Sequence, residues 1–398
     1  MKTYVFPGQG SQIKGMGENL FDDFADLTKK ADKILGYSIK ELCLNNPGQK
    51  LVQTLYTQPA MYVVNALSCM KKFQDSGETP DYLAGHSLGE YNALQAAGVF
   101  SFENGLKLVK KRGELMSKAK KGAMAAILNS SEKQIQEILE KANLTTIDLA
   151  NHNAPSQIVI SGLEEDIKKS QSYFEQVSAM FILLNTSGAF HSRYMKEAAA
   201  EYGTFVKRFK FSKPKIKVIS NVTAKPYESI NIAQCLIDQI THCVRWSDSI
   251  RFLLDQGVIE FEEIGVGNVL TKLINYIREE WTSDKKDTQD NSEQKSESVS
   301  EKSEIAKSDH LQIEILSTKE EFESKNVTTI KHDKSKRAQV MVEHWNNSYP
   351  IGTKAYSDFY KTELETRTEA MLLFGHRAAV YMKGYNGYFD LREVAPVV

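Results

Sequence analysis

Gly85-His86-Ser87-Leu88-Gly89 follows the short apolar run Asp81-Tyr82-Leu83-Ala84 and opens into Glu90-Tyr91-Asn92-Ala93-Leu94-Gln95-Ala96-Ala97. The pattern is G-x-S-x-G between a strand-like and a helix-forming segment, the layout of a nucleophile elbow. A serine on a sharp strand-to-helix turn has its hydroxyl exposed. The helix N-terminus behind it offers unpaired N–H groups and the positive end of a dipole. The stretch therefore points to acyl transfer through a serine ester.

Outward from the elbow, β-like runs at Thr3–Phe6, Tyr82–Ala84, Ile158–Ser161, Lys217–Ser220 and Phe261–Ile264 alternate with helical patterns. The helical stretches are Pro59–Phe73, Leu88–Ala97, Phe102–Ala119 and Ala233–Ile240. Strands alternating with helices predict an α/β layer fold with a mainly parallel sheet. Within it, 122–184 reads as an insert. A strand (Ala123–Leu128) leads to a helix (Glu132–Ala142) and two strands around Asn151-His152-Asn153-Ala154-Pro155. A helix (Glu164–Gln176) and a strand (Ala179–Leu184) close it. That order predicts a small ferredoxin-like subdomain.

The stretch 282–309 is composed of polar and charged residues apart from Val299, Ile305 and Ala306. It cannot bury enough apolar surface to offset its ordering entropy, so a disordered linker is expected. Beyond it, 310–398 reads as a small β-rich domain, a barrel being one option. Its strands are expected at Ile313–Leu316 and Ala338–Val342, with a hairpin of Ala378–Met382 and Gly387–Leu391.

A chain of 398 residues with a formal net charge of -1 has ample length for a core and no global pull toward nucleic acid or an anionic membrane. No apolar run approaches the ~20 residues of a membrane span. Met1–Pro7 reads as a strand entering a glycine turn rather than a signal peptide. Cys43, Cys69, Cys235 and Cys243 form no C-x-x-C pair and no zinc-ligand spacing. Inert thiols in a cytoplasmic protein are expected, with no metal and no redox cofactor.

An ester-forming serine needs a base, an oxyanion hole and a substrate clamp. Of the eight histidines, His86 adjoins Ser87, where neighbouring side chains point apart, and four lie beyond the linker. His152, His191 and His242 remain. His191 sits in Thr186-Ser187-Gly188-Ala189-Phe190-His191-Ser192, where small residues suit a loop reaching into a cleft. The Leu88 amide is a natural oxyanion donor. The turn Pro7-Gly8-Gln9-Gly10-Ser11-Gln12 after the first strand could supply another; it lacks the endings of a P-loop or dinucleotide fingerprint. Arg112 carries a planar fork suited to a carboxylate.

Residues 1 to about 280 resemble malonyl-CoA:acyl carrier protein transacylases, the acyltransferases of fatty-acid and polyketide synthesis. The resemblance rests on Phe6–Gln12, Gly85–Glu90, Arg112-Gly113, Asn151–Pro155, Ala189–Ser192, Val244-Arg245-Trp246 and Glu263–Gly267, in that order. It implies a hydrolase-like large subdomain (1–121 and 185–281) with the ferredoxin-like insert (122–184) and the site between them. It further implies Ser87 as nucleophile, His191 as general base and then acid, and the Gln9 and Leu88 amides as oxyanion hole. Arg112 would clamp the malonyl carboxylate. Gln239 aligns with the position whose backbone carbonyl orients the histidine in place of a triad Asp. The partners so implied are malonyl-CoA, as substrate rather than cofactor, and an acyl carrier protein or carrier domains of a synthase.

Phe190 departs from many fatty-acid members, which have a small residue before the histidine; Ala-Phe-His is similar to malonyl-selective polyketide acyltransferases. Val266, where proline is common, carries no expected consequence. A linker and extra domain beyond the resemblance point to an enzyme serving a polyketide assembly line in trans. Two alternatives stand beside transfer: an acyl hydrolase of the same fold that clears carrier proteins, and a non-catalytic synthase scaffold.

Overall fold

A computed structural model describes residues 1–119, 122–177, 179–227, 232–285, 338–357, 362–373, 377–383, 388–391 and 394–397. The chain divides into two compact units, Met1–Ile277 and Arg278–Val398. In the first, β1 (Lys2–Phe6) leads through the helix Thr54–Ser76 to β2 (Tyr82–Gly85), the elbow helix Gly89–Ala96 and the helix Phe102–Ser117. The insert follows with β3 (Gly122–Leu128), β4 (Asp148–Ala154), β5 (Gln157–Leu163) and β6 (Met180–Leu183). The large subdomain resumes with β7 (Lys217–Ile219) and β8 (Glu260–Glu263).

The large sheet has the order β7-β2-β1-β8 with every neighbour pair parallel. Its two central strands carry apolar residues on both faces, Tyr4-Val5-Phe6 in β1 and Tyr82-Leu83-Ala84 in β2, and β2 is buried throughout. The register sets Phe6 beside Gly85. The turn after β1 and the elbow after β2 therefore leave the sheet side by side, at the carboxyl end where α/β sites form. Close packing there is absolute: a Cβ on Gly89 would lie 2.0 Å from the Phe6 carbonyl oxygen, and one on Gly85 2.0 Å from the Gly89 carbonyl carbon. No side chain fits at either position.

The insert forms an antiparallel sheet of order β4-β5-β3-β6, the ferredoxin-like arrangement expected. Ile127, Ile135, Ile160, Ile167 and Phe174 form its core. Ser131 starts its first helix with a capping box to Gln134. Pairing within β4 is irregular between Leu149 and Asn151 and again between His152 and Ala154.

Residues 269–285 are helical, so 282–285, expected in the linker, continue a helix. The hydroxyls of Thr282 and Ser283 turn back to donate to the carbonyls of Arg278 and Glu279. The remainder of the expected linker, 286–309, lies outside the described residues, as does the strand expected at Ile313–Leu316.

In the second unit, β9 (Lys354–Ser357), β10 (Thr362–Glu365) and β14 (Val394–Pro396) make one antiparallel sheet. β11 (Met371–Leu373), β12 (Arg377–Tyr381) and β13 (Tyr388–Asp390) make another. The pairing of β12 with β13 is the hairpin expected there. Ala338–Val342, expected as a strand, is instead the start of a helix at 338–348. The short apolar, valine-rich run Val340-Met341-Val342 is the misleading signal. Ala338, Val342 and Trp345 recur at helical spacing and are buried, whereas Val340 is 63% exposed.

Candidate active site

Ser87 sits at φ 50°, in the left-handed region that costs a non-glycine residue about 1–2 kcal/mol. Two hydrogen bonds hold it there. The Ser87 amide donates to Asn221 Oδ1 at 2.7 Å, and Asn221 Nδ2 donates to the Gly85 carbonyl at 2.7 Å. One asparagine from the loop after β7 thus spans the base of the elbow. His191 is likewise left-handed, at φ 57°. Such backbone conformations collect at functional sites because the surrounding fold over-determines them.

Four of the residues singled out from sequence meet. Ser87 Oγ lies 2.8 Å from His191 Nε2 and accepts from Arg112 Nη2 at 3.0 Å. His191 Nδ1 lies 2.7 Å from the Gln239 carbonyl oxygen, which can only accept. The proton is therefore on Nδ1, and Nε2 presents its lone pair to the Ser87 hydroxyl. Burial, aided by the Arg112 charge, pushes the His191 pKa down to about 3, so the ring is neutral and able to accept a proton. Arg112 is 1% exposed, with its guanidinium over the Tyr91 ring at 5.6 Å and its Nη2 also donating to Gln239 Oε1 at 2.9 Å. Its Nε is buried without a hydrogen-bond partner among the described residues.

Leu88 has helical dihedrals immediately before the elbow helix. Among the described residues neither its amide nor that of Gln9 donates to a protein acceptor. The Gln9 side chain is tied to Thr54 Oγ1 at 3.2 Å. The glycine before it packs on the elbow: a Cβ on Gly8 would lie 2.5 Å from the His86 carbonyl oxygen and 3.7 Å from the Leu88 nitrogen. Phe190 is buried beside His191, its ring edge 3.2 Å from where a Cβ on Gly188 would stand.

The other two histidines left open by sequence lie elsewhere. His152 faces Glu132 and Asp248 at 3.8 and 4.0 Å, and His242 Nδ1 pairs with the Asp238 carbonyl at 2.8 Å. His86 turns away from Ser87. It bonds Asn153 Oδ1 of the insert at 2.8 Å and packs on the Trp246 ring at 5.6 Å.

Two residues went unassigned from sequence. Asn221 had no local signal. Glu90 belongs to the elbow motif, and an acid among Tyr91, Ala93 and Leu94 was the available hint. It is fully buried, and burial raises its pKa to about 7 against hydrogen bonds from Asn221, Tyr227 and Gln239 and the charge of Arg112.

Among the described residues no group of three or more His, Cys, Asp or Glu could hold a metal ion, and no helix is long and apolar enough to cross a membrane. All four cysteines are free. Burial raises the thiol pKa values of Cys43 and Cys69.

Residues 3–292 match the family model described as acyl transferase domain. A polyketide biosynthesis malonyl CoA-acyl carrier protein transacylase of Bacillus velezensis is 58% identical over 282 residues, which is 70% of this chain and 98% of the relative. The crystal structure of a malonyl CoA-acyl carrier protein transacylase from Burkholderia pseudomallei is 52% identical. It superposes with a TM-score of 0.69 over 70% of this chain and 98% of that one. A malonyl-transacylase solved in complex with its type II polyketide synthase acyl-carrier protein gives 33% identity and a TM-score of 0.66, covering 69% of this chain and 92% of that one.

Proposed function

Because the chain belongs to the acyl transferase domain family, with malonyl CoA-acyl carrier protein transacylases as its relatives, we propose that it carries a malonyl group on Ser87. The group comes from malonyl-CoA and leaves on the phosphopantetheine thiol of an acyl carrier protein. One observation carries the reading: a single serine hydroxyl lies between a neutral histidine base and a buried arginine, 2.8 and 3.0 Å away.

The chemistry follows in two halves. Malonyl-CoA enters with its free carboxylate on Arg112, whose fork can take it bidentately. His191 Nε2 accepts the Ser87 proton as Oγ attacks the thioester carbonyl. The oxyanion is held by the Leu88 and Gln9 amides, which have no competing protein acceptor among the described residues. The intermediate collapses, the C–S bond breaks, and His191 returns its proton to the coenzyme A sulfur. The carrier thiol then gives its proton to His191 and attacks the ester. Collapse expels Ser87 Oγ, which recovers the proton. No oxidant or metal is required. Intact-protein mass spectrometry after brief exposure to malonyl-CoA tests the reading. A single malonyl adduct that disappears on adding pantetheinylated carrier protein is expected; free malonate without carrier loading would overturn transfer in favour of hydrolysis.

Serving a polyketide synthase is part of the proposal, supported by the polyketide relative at 58% identity. So is selectivity for malonyl over α-methylated groups, supported by the bulk of Phe190 beside the base. The discrimination expected from crowding one methyl group is about 1–3 kcal/mol, or about ten- to two-hundredfold. Phe190→Ala should narrow the kcat/KM ratio of malonyl- to methylmalonyl-CoA by at least about tenfold. An unchanged ratio would remove Phe190 from specificity.

A further inference from the structure

Glu90 is a buried carboxyl that the reaction above does not use. Its Oε1 accepts from the Asn221 amide and from the Tyr227 hydroxyl, both at 2.8 Å. Its Oε2 accepts from Gln239 Nε2. The same Nε2 donates to the Ser87 carbonyl at 2.8 Å, so both amide hydrogens of Gln239 are used. Gln239 Oε1 is left to face the Arg112 guanidinium at 2.9 Å, while the Gln239 main-chain carbonyl faces His191 Nδ1. One glutamine therefore touches the nucleophile's backbone, the base and the clamp.

An amide side chain can be turned over, and nothing in its own shape decides which end is which. Here its neighbours decide. A carboxylate only accepts and a guanidinium only donates. Reversing the Gln239 amide would set its oxygen against Glu90 and the Ser87 carbonyl, and its NH2 against Arg112. We infer that Glu90 is a positioning residue for the reaction: by accepting from the Gln239 amide it fixes the direction of that amide and so holds Ser87, His191 and Arg112 in register. The inference rests on the reading of Ser87 as nucleophile.

The ionised form accepts all three hydrogen bonds at once and is the stronger acceptor for the Gln239 amide. A proton on Glu90 would face the Asn221 or Gln239 N–H, or would force the Tyr227 hydroxyl to turn from donor to acceptor. Burial nonetheless raises its pKa to about 7, so the carboxylate form is lost as pH falls through neutrality. The groups around it do not titrate there. Burial holds His191 at about 3 and keeps His86 below its usual range. Tyr91 is raised to about 12, and Tyr227 and Cys235 are also raised by burial.

The test is single-turnover acylation of the full chain by malonyl-CoA across about pH 5.5 to 9, with thermal unfolding as the fold control. Wild-type protein should lose rate below about pH 7 as one group protonates. Glu90→Gln should lower the plateau about ten- to hundredfold and abolish that acid limb, since its amide sets a donor against Gln239. Tyr227→Phe removes a hydrogen bond that favours the carboxylate, and should move the limb to higher pH while leaving the plateau within about threefold. A Glu90→Gln protein with the wild-type plateau and limb overturns the inference alone. Should that variant not fold, a limb unmoved in Tyr227→Phe overturns it equally. Wild-type protein that takes no malonyl group overturns the parent reading, and this one with it.

Discussion

Ser87→Ala is expected to take no acyl group from malonyl-CoA and to fall about 10⁴- to 10⁶-fold in transfer to carrier protein, the scale on which removing a nucleophile acts. Among the described residues the hydroxyl is the one atom hydrogen-bonded to both the His191 ring and the Arg112 guanidinium, so its loss removes the nucleophile from both. The variant should still fold. Alanine occupies the same left-handed position as serine at the same backbone cost, and the Asn221 bonds that hold the elbow are to main-chain atoms. Arg112 keeps Gln239 and His191 keeps the Gln239 carbonyl. A change in stability within about 1 kcal/mol is therefore expected, measurable by denaturant or thermal unfolding. A malonyl adduct of the same mass and rate on Ser87→Ala would place the ester elsewhere and end the proposed mechanism.

How much of this could be read from the chain follows from the range of each interaction. The elbow was legible because its constraints are local: a glycine on each side of Ser87, a short apolar run before it and a helix after it. The insert was legible because each of its strands and helices carries its own periodicity, and the order of six elements admits few compact arrangements. The 338–348 helix was misread because Val340-Met341-Val342 is a short β-like apolar run, and only the wider spacing to Trp345 reveals the helical face. Asn221 and Glu90 had no such local marker. Asn221 acts on a residue 134 positions away, and Glu90 bonds Gln239 across 149 positions. No window of sequence contains both partners. The resemblance drew attention to Gln239 for its main-chain carbonyl; what its side chain does needed three dimensions.

Arg112→Gln is expected to separate two roles that the wild-type geometry merges. The guanidinium donates to Ser87 Oγ, so it could act by steadying the nucleophile; it is also a buried cation with a free Nε, so it could act by receiving a carboxylate. These make different predictions for substrates. If the charge grips malonyl's carboxylate, its loss leaves an anion to be buried without a partner, a penalty of about 3–5 kcal/mol. At about 1.4 kcal/mol per tenfold, malonyl-CoA acylation should fall about 10²- to 4 × 10³-fold. Acetyl-CoA, which brings no carboxylate, should be used at least as well as before. If the arginine instead served Ser87 alone, both thioesters would suffer alike. Glutamine is the informative replacement because it can still hydrogen-bond Gln239 while removing the charge, whereas lysine would keep the charge and lose the fork. Measured as kcat/KM for the two thioesters, a malonyl preference collapsing by about a hundredfold identifies the clamp. Equal losses for both would transfer the arginine's role to the nucleophile and leave malonyl selectivity without a residue to explain it.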